Sequence, residues 1–390
     1  MIEVNTIALR VLASLPKAVT NVIRPRDWGE EDLPLLPVPR PGKKNLLIGP
    51  ANSAGQARLW AESANEVPGW AGSNIAYVRA PRFSHESDAI GLEKAVVYSP
   101  QWARTLRKRI VNGYSAIIIE SLQPLFGSLH FQDPTREIRY LQRHGLKVGV
   151  LWHGSDIRDP GAHAANVNGS VFLNAPAESV NDLHSVVQRN LKRLAATKRI
   201  TTFVSTPDLL RYQPNATWLP IQVHPSFLHQ PLQPVGGSPP TVLHLPSRGY
   251  LKGTKVIDRH MRSLARSGII HYVTPQQVPH SAVRRILEDA DIVIDQIGMD
   301  AYGVASLEAL ALGKTVVAQV GTFVREQVGR RTGMVIPIQE ANADTIKHVV
   351  QSLAQHPAQR EKLAYSGREY VRVVHSPQAA AAALASFLND

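Results

Sequence analysis

Two doubly wound α/β domains facing a central cleft are what this sequence predicts, on three observations. Short runs rich in Val and Ile alternate with helical segments along the chain. Those runs are almost continuously apolar, as parallel strands covered on both faces are. A proline-rich stretch without charges divides the alternation into two halves. The length of 390 residues agrees, since a domain takes about 150 residues.

In chain order, residues 1–42 form an extension ahead of the first strand. Ile7, Val11, Leu12, Leu15, Val19, Val22 and Ile23 recur every three or four residues, opposite Arg10, Ser14, Lys17, Asn21 and Arg24. This spacing predicts an amphipathic helix with a basic polar side, kinked at Pro16. Two roles suit it: packing on the protein's own domain, or lying on anionic lipid.

The first domain is expected at 43–230. Its strands are expected at Asn45–Ile48, Ile75–Val78, Ala116–Ile119, Lys147–Trp152 and Thr201–Val204, and its helices near Ala54–Ala64, Gln101–Val111, Thr135–His144 and Glu178–Leu194. Between Arg211 and Arg248 lie 36 residues with no Lys, Arg, Asp or Glu and with eight prolines. Proline blocks helix interiors and central strands, so residues 231–240 read as a linker. The second domain, 241–375, has expected strands Thr241–Leu245, Ile269–Val273, Asp291–Asp295, Thr315–Ala318 and Met334–Pro337. Its expected helices are Lys255–Arg266, Ser281–Asp289, Ala305–Leu312 and Ala343–Ala354. Residues 376–390 form a last helix, expected to cross back to the first domain.

Composition narrows the chemistry. With no cysteine, disulfides, thiolate catalysis and Cys-ligated metals are excluded. No apolar run reaches the ~18 residues of a spanning helix. The first residues carry Glu3 and lack a basic region before the apolar stretch, which makes a poor secretion signal. The expected location is the cytoplasm, peripheral on the inner face of the membrane if the first helix engages lipid.

The net charge of +12 favours anionic partners. Two clusters stand out: Arg104, Arg107, Lys108 and Arg109, then Arg189, Lys192, Arg193, Lys198 and Arg199. Either can be a solvated helix face. No helix-turn-helix, zinc-finger or aromatic RNP motif accompanies them, so nucleic acid is not the expected partner.

Four motifs carry chemistry. The first is Asp300-Ala-Tyr-Gly-Val-Ala-Ser-Leu-Glu308, followed by Ala-Leu-Ala-Leu-Gly313-Lys-Thr-Val-Val317. Asp300 and Gly303 fall in a strand-end loop, with a helix starting near Val304. Free N–H groups there favour an anion, and a glycine lets a ligand approach the backbone. Glu308, about one turn in, can accept hydrogen bonds from ligand hydroxyls.

The second motif is His244-Leu-Pro-Ser247-Arg248-Gly-Tyr-Leu-Lys252-Gly253-Thr254. Arg248 and Lys252 at a strand end can neutralise a diphosphate. The third is His153-Gly154-Ser155-Asp156-Ile-Arg158 after an apolar strand. There Asp156 can either position an acceptor hydroxyl or pair with Arg158. The fourth is the loop Gly49-Pro-Ala-Asn52-Ser53-Ala54-Gly55-Gln56. It is a strand-to-helix turn that can receive phosphate or sugar on its amides, and it is not a dinucleotide fingerprint.

The acid pair with seven residues between, a glycine among them, and EALALGKTVV running on from the second acid, resembles the retaining glycosyltransferases of family 4 and their group-1 relatives, which have the GT-B fold. The resemblance spans about Asn45 to Val374 and is strongest in the second half. It implies that Asp300, where the family usually has Glu, touches the donor sugar's hydroxyls, and that Glu308 holds the nucleotide's ribose. It implies that Arg248 and Lys252 bind the diphosphate and the leaving group, and that His153 lies beside the reacting sugar. It also implies that the loop with Asn52, Ser53 and Gly55, together with Gly303 and Val304, lies near the donor.

The implied reaction retains anomeric configuration, by a front-face route in which the leaving phosphate helps deprotonate the acceptor. The expected partners are a nucleotide-sugar donor, a lipid-linked or cell-surface glycan acceptor and an anionic membrane surface. No metal and no separate cofactor is expected, since no His/Asp metal spacing is present. A nucleotide-sugar epimerase or a glycan phosphorylase of the same fold remains the alternative.

Overall fold

The computed structural model describes residues 29–79, 85–229, 232, 238–246, 249–276, 278 and 280–389. The amphipathic segment of residues 7–24, Arg248 and most of the 231–240 linker lie outside them.

Apolar runs become central strands because helices cover both faces. In the first domain β1 (Lys44–Gly49), β2 (Trp70–Val78), β3 (Ala89–Leu92), β4 (Ala116–Glu120), β5 (Lys147–Trp152), β6 (Thr201–Val204) and β7 (Thr217–Trp218) form one sheet among the described residues. Its order is β3-β2-β1-β4-β5-β6-β7, and every pairing is parallel, with Leu47 opposite Ile117 and Ile119 opposite Val150. The second domain has β8 (Thr241–His244), β9 (His271–Val273), β10 (Ile292–Ile294), β11 (Thr315–Ala318) and β12 (Gln339–Glu340), in the order β12-β11-β10-β8-β9, again parallel. In each sheet the strand order reverses direction beside the first strand of the domain, where α/β sheets open a crevice at the strands' carboxyl ends.

Local chemistry sets the helix starts. Asp133 and Asp159 cap the helices Pro134–Arg143 and Pro160–Asn166, accepting from Thr135 N at 3.0 Å and Ala162 N at 2.8 Å, and each helix has proline in its first turn. The helix expected at Ala54 begins at Gln56 instead, because Asn52, Ala54 and Gly55 all hold positive φ. The strand expected at Met334–Pro337 is displaced to Gln339–Glu340. Arg325 takes the carbonyls of Ile336 and Ile338, at 3.1 and 2.9 Å, in place of a neighbouring strand.

The last helix, Pro377–Asn389, packs on the first domain. Leu384, Phe387 and Leu388 join Leu46, Trp60 and Phe203 in one apolar cluster, and Trp70 Nε1 donates to Asn389 Oδ1 at 3.3 Å. The domains also meet directly. Val171 N donates to Gly298 O at 2.9 Å, Gln319 Nε2 to Asn168 O at 2.8 Å, and His163 Nε2 to Met299 O at 3.0 Å. A Cβ on Gly298 would lie 2.5 Å from Gly169 O, so the two backbones cross at a distance only glycine permits.

Candidate active site

β5 delivers the His-Gly turn to the cleft. His153 Nε2 donates to Glu120 Oε1 at 2.8 Å, and its ring stacks on Trp60 at 5.9 Å between centroids. Burial pushes the imidazole pKa down. The hydrogen bond and charge of Glu120, with Asp156 nearby, more than offset this and leave it raised.

Asp156 plays neither of its expected parts. Its carboxylate accepts from the amides of His153 (2.9 Å) and Gly154 (2.7 Å) and from Ser121 Oγ (2.6 Å), so it is consumed in holding the turn. Arg158 pairs instead with Asp208, at 2.6 Å.

The glycine-rich loop is fixed from beneath by the same Glu120, whose Oε2 accepts from the amides of Ala51 and Asn52 at 2.8 Å each. Ser53 and Ala54 reach the cavity. Asn52 turns its amide away, to Glu86 O at 3.0 Å and Ser87 Oγ at 2.7 Å. Gly55 lies beside His85 and gives the loop its positive φ of 75°. These two residues shape the loop and do not line the cavity.

From the second domain, Lys252 closes the short helix Gly249–Lys252 and pairs its ammonium with Asp295 Oδ1 just past β10. Asp295 also accepts from Ser306 Oγ at 2.5 Å. Burial pushes the Asp295 carboxyl up, but Lys252 and Ser306 hold it below its ordinary value. The helix Val304–Ala311 starts at Gly303 with no side-chain cap, and a Cβ on Gly303 would meet open space. Its first amides are therefore presented to the cavity. Glu308 is buried on the same helix, and desolvation lifts its pKa to about 7.

Asp300, held at φ 54°, points elsewhere. Its carboxylate accepts from Gly321 N and meets Arg211 Nη2, across the domain boundary, at 3.3 Å. Burial raises its pKa to about 6 against those two contacts.

One cavity of about 940 Å³ gathers Ser53, His153, Lys252, Gly303, Val304 and Glu308 from both domains. Asn52, Gly55 and Asp300 border it without lining it. Arg158, Ser205 and Thr206 line its first-domain wall, and Thr206 Oγ1 is buried without a hydrogen-bond partner among the described residues. Among those residues no group of three or more His, Asp or Glu is placed to hold a metal ion.

Sequence reasoning missed Glu120 and Asp295. The signal was available: each is a lone acid closing an apolar run, Ala-Ile-Ile-Ile-Glu120 and Ile-Val-Ile-Asp295, at the strand end where sites form. It missed Ser205 and Thr206, for which only the folded arrangement of β6 beside β5 gives a reason.

Residues 261–370 match the family model described as glycosyl transferases group 1. Among solved structures, sucrose-phosphate synthase from Thermosynechococcus elongatus superposes with a TM-score of 0.56 at 13% identity, over 89% of this chain and 98% of that one. TarM of S. aureus superposes at 0.48 and 12% identity, over 78% of this chain and 60% of that one. No curated protein sequence matches the chain. The fold is GT-B, two Rossmann-like domains around a shared cleft. Within that fold, the segment that matches glycosyl transferases group 1 lies in the second domain.

Proposed function

We propose that the protein moves a sugar from a nucleotide-sugar donor to a hydroxyl acceptor with retention of configuration. The observation that carries this is the convergence, on one cavity, of Lys252, the uncapped helix start at Gly303 and Val304, Glu308 and, from the other domain, His153.

Each part has a physical role in that reaction. Departure of a nucleoside diphosphate concentrates negative charge on phosphate. Lys252 has three donor hydrogens, so it can keep Asp295 and still meet the leaving group. The helix amides add fixed dipoles aimed at the same charge, which cost no reorganisation during reaction. Arg248 is four residues before Lys252 and is proposed to supply the second cation. Glu308 is set to receive the ribose hydroxyls. His153, with Nε2 committed to Glu120, offers Nδ1 beside the reacting sugar. The acceptor is proposed to lie along Arg158, Ser205 and Thr206, a polar wall suited to a glycan hydroxyl.

The expected acceptor is a lipid-linked or cell-surface glycan, with the basic amphipathic segment of residues 7–24 bringing the protein to an anionic membrane. Sedimentation with anionic liposomes, comparing the full chain with one starting at Gly42, tests that segment. A screen of UDP-, GDP- and ADP-sugars by thermal shift and donor hydrolysis tests the central reading. Stabilisation by one donor class, with slow hydrolysis lost in Glu308→Ala, is expected. No response to any nucleotide sugar would overturn it.

A further inference from the structure

At the opposite edge of the first sheet lies a second cavity, of about 780 Å³. It is lined by Lys147, Thr201 and Thr217, where β5, β6 and β7 begin, whereas the cleft lies where they end. Six residues of β5 separate the two edges, roughly 17 Å at the rise of an extended strand. A ligand held here is therefore not the one held in the cleft.

Five cations surround this cavity. Arg139 and Arg143 come from the helix Pro134–Arg143, Lys147 from β5, and Lys198 and Arg199 from the turn before β6. No Asp or Glu lines it among the described residues, and none of the five makes an ion pair among them. The basic stretch that ends at Arg199 is thus split by the fold, and its last two members join three residues from about fifty positions earlier.

The surround is built rather than loose. Gln142 Nε2 donates to Lys198 O at 2.8 Å and to Arg199 O at 3.1 Å, tying the turn to the helix. Arg199 is held at φ 51°, a conformation uncommon outside glycine. Lys147 Nζ donates to Leu388 O at 3.0 Å, and Phe387 closes one wall, packed edge-on against Phe203 at 5.5 Å.

Like charges gathered around one concavity repel, and that repulsion is relieved by a counter-charge of matching density. Planar guanidinium forks suit tetrahedral phosphate oxygens, and the two lysines add point charges. We propose that this cavity binds a ligand bearing two or more phosphate charges, remote from the glycosyl-transfer site. The two sources with that chemistry are an anionic lipid headgroup and a free polyphosphorylated molecule.

The test uses the full chain and two probes. One is tripolyphosphate, followed by calorimetry at low salt. The other is vesicles of phosphatidylglycerol and phosphatidylcholine, followed by sedimentation. Arg143→Glu with Lys198→Glu and Arg199→Glu is compared with Lys255→Glu, Arg259→Glu and Lys347→Glu, the same charge change placed on the second domain. If the reversal lowers the melting temperature, the three Gln substitutions replace it.

The pocket variant is expected to bind at least one probe about 100-fold more weakly, and the control variant close to wild type. Loss confined to tripolyphosphate assigns the site to a free anion, and loss confined to vesicles assigns it to a headgroup. Wild-type protein that binds neither probe, or equal losses in both variants, or no loss in the pocket variant, overturns the proposal. Because the cavity is remote from the cleft, none of these outcomes bears on glycosyl transfer.

Discussion

Glu120 holds His153 Nε2 at 2.8 Å through one carboxylate oxygen, and through the other it holds the amides of Ala51 and Asn52. A single buried acid therefore sets the position of the cleft histidine and of the glycine-rich loop together. Glu120→Gln is expected to drop the His153 pKa below its ordinary value, because burial is then opposed by the charge of Asp156 alone. The linked stability has a defined sign. In wild type the raised histidine contributes fully below pH ~6.5, and the contribution is lost as pH rises through the higher folded value. NMR titration of the ring reads this directly, and an unmoved pKa in the variant would refute the coupling.

Lys252 and Asp295 should be tested as a pair. Lys252→Ala leaves a carboxylate buried with Ser306 alone, a loss on the order of 3 kcal/mol in stability. Adding Asp295→Asn should restore much of the melting temperature without restoring transfer, which is expected to stay down by about 2–4 kcal/mol in activation free energy. Recovery of activity along with stability would show that Lys252 acts only on the fold.

Glu308 predicts a pH dependence for donor binding. In the proposed site ribose hydroxyls donate to the ionised carboxylate, and burial holds that carboxyl near a pKa of about 7. Donor KM should therefore rise as pH falls from 8 to 6. In Glu308→Gln the KM should be high and flat over the same range. A Gln variant with the wild-type pH profile would remove Glu308 from the ribose site.

Acid should loosen the domain interface. His163 donates to Met299 O and accepts from Ser170 Oγ at 2.7 Å, and His375 donates to Ile221 O at 2.6 Å. Burial lowers both histidines to about 4. Each folded pKa lies below the unfolded one, so stability is complete above pH ~6.5 and falls as pH drops towards 4, by roughly 2 kcal/mol per histidine at pH 5. Melting curves at pH 7 and pH 5 measure the loss. His163→Gln, which can keep both hydrogen bonds, should show a smaller acid shift.

Chelation should leave transfer intact. In the proposed reaction Lys252, Arg248 and the helix start supply positive charge to the diphosphate. EDTA is therefore expected to change the initial rate by less than about twofold, where loss of an essential metal would cost several kcal/mol. Activity abolished by EDTA and restored by Mg²⁺ or Mn²⁺ would contradict this.

Much of the architecture is legible because parallel strands buried on two faces must be apolar throughout. The runs at Ala116, Lys147 and Thr315 therefore announce themselves. β3 and β7 do not, since four and two residues at a sheet edge carry too little pattern. Met334–Pro337 has the right composition for a strand, yet the competing guanidinium of Arg325 takes the carbonyl of Ile336 within it and that of Ile338 just beyond. Composition reports what a strand prefers, not which donor reaches it first.

By itself, the sequence determined the alternation of strands and helices, the division near the proline-rich stretch, and the local chemistry of the Gly303–Glu308 helix start. Each of these depends on residues within one or two turns of each other. The tertiary structure decided which carboxylates serve the cleft. Asp156 was drawn into its own turn and Asp300 onto Gly321 and Arg211, while Glu120 and Asp295, each closing an apolar run, were set beneath His153 and Lys252. A buried carboxylate goes to whichever donors the fold brings within about 3 Å, because leaving its charge unmatched costs more than any local preference can return. Those donors come from strands that are neighbours in the sheet and distant in the chain.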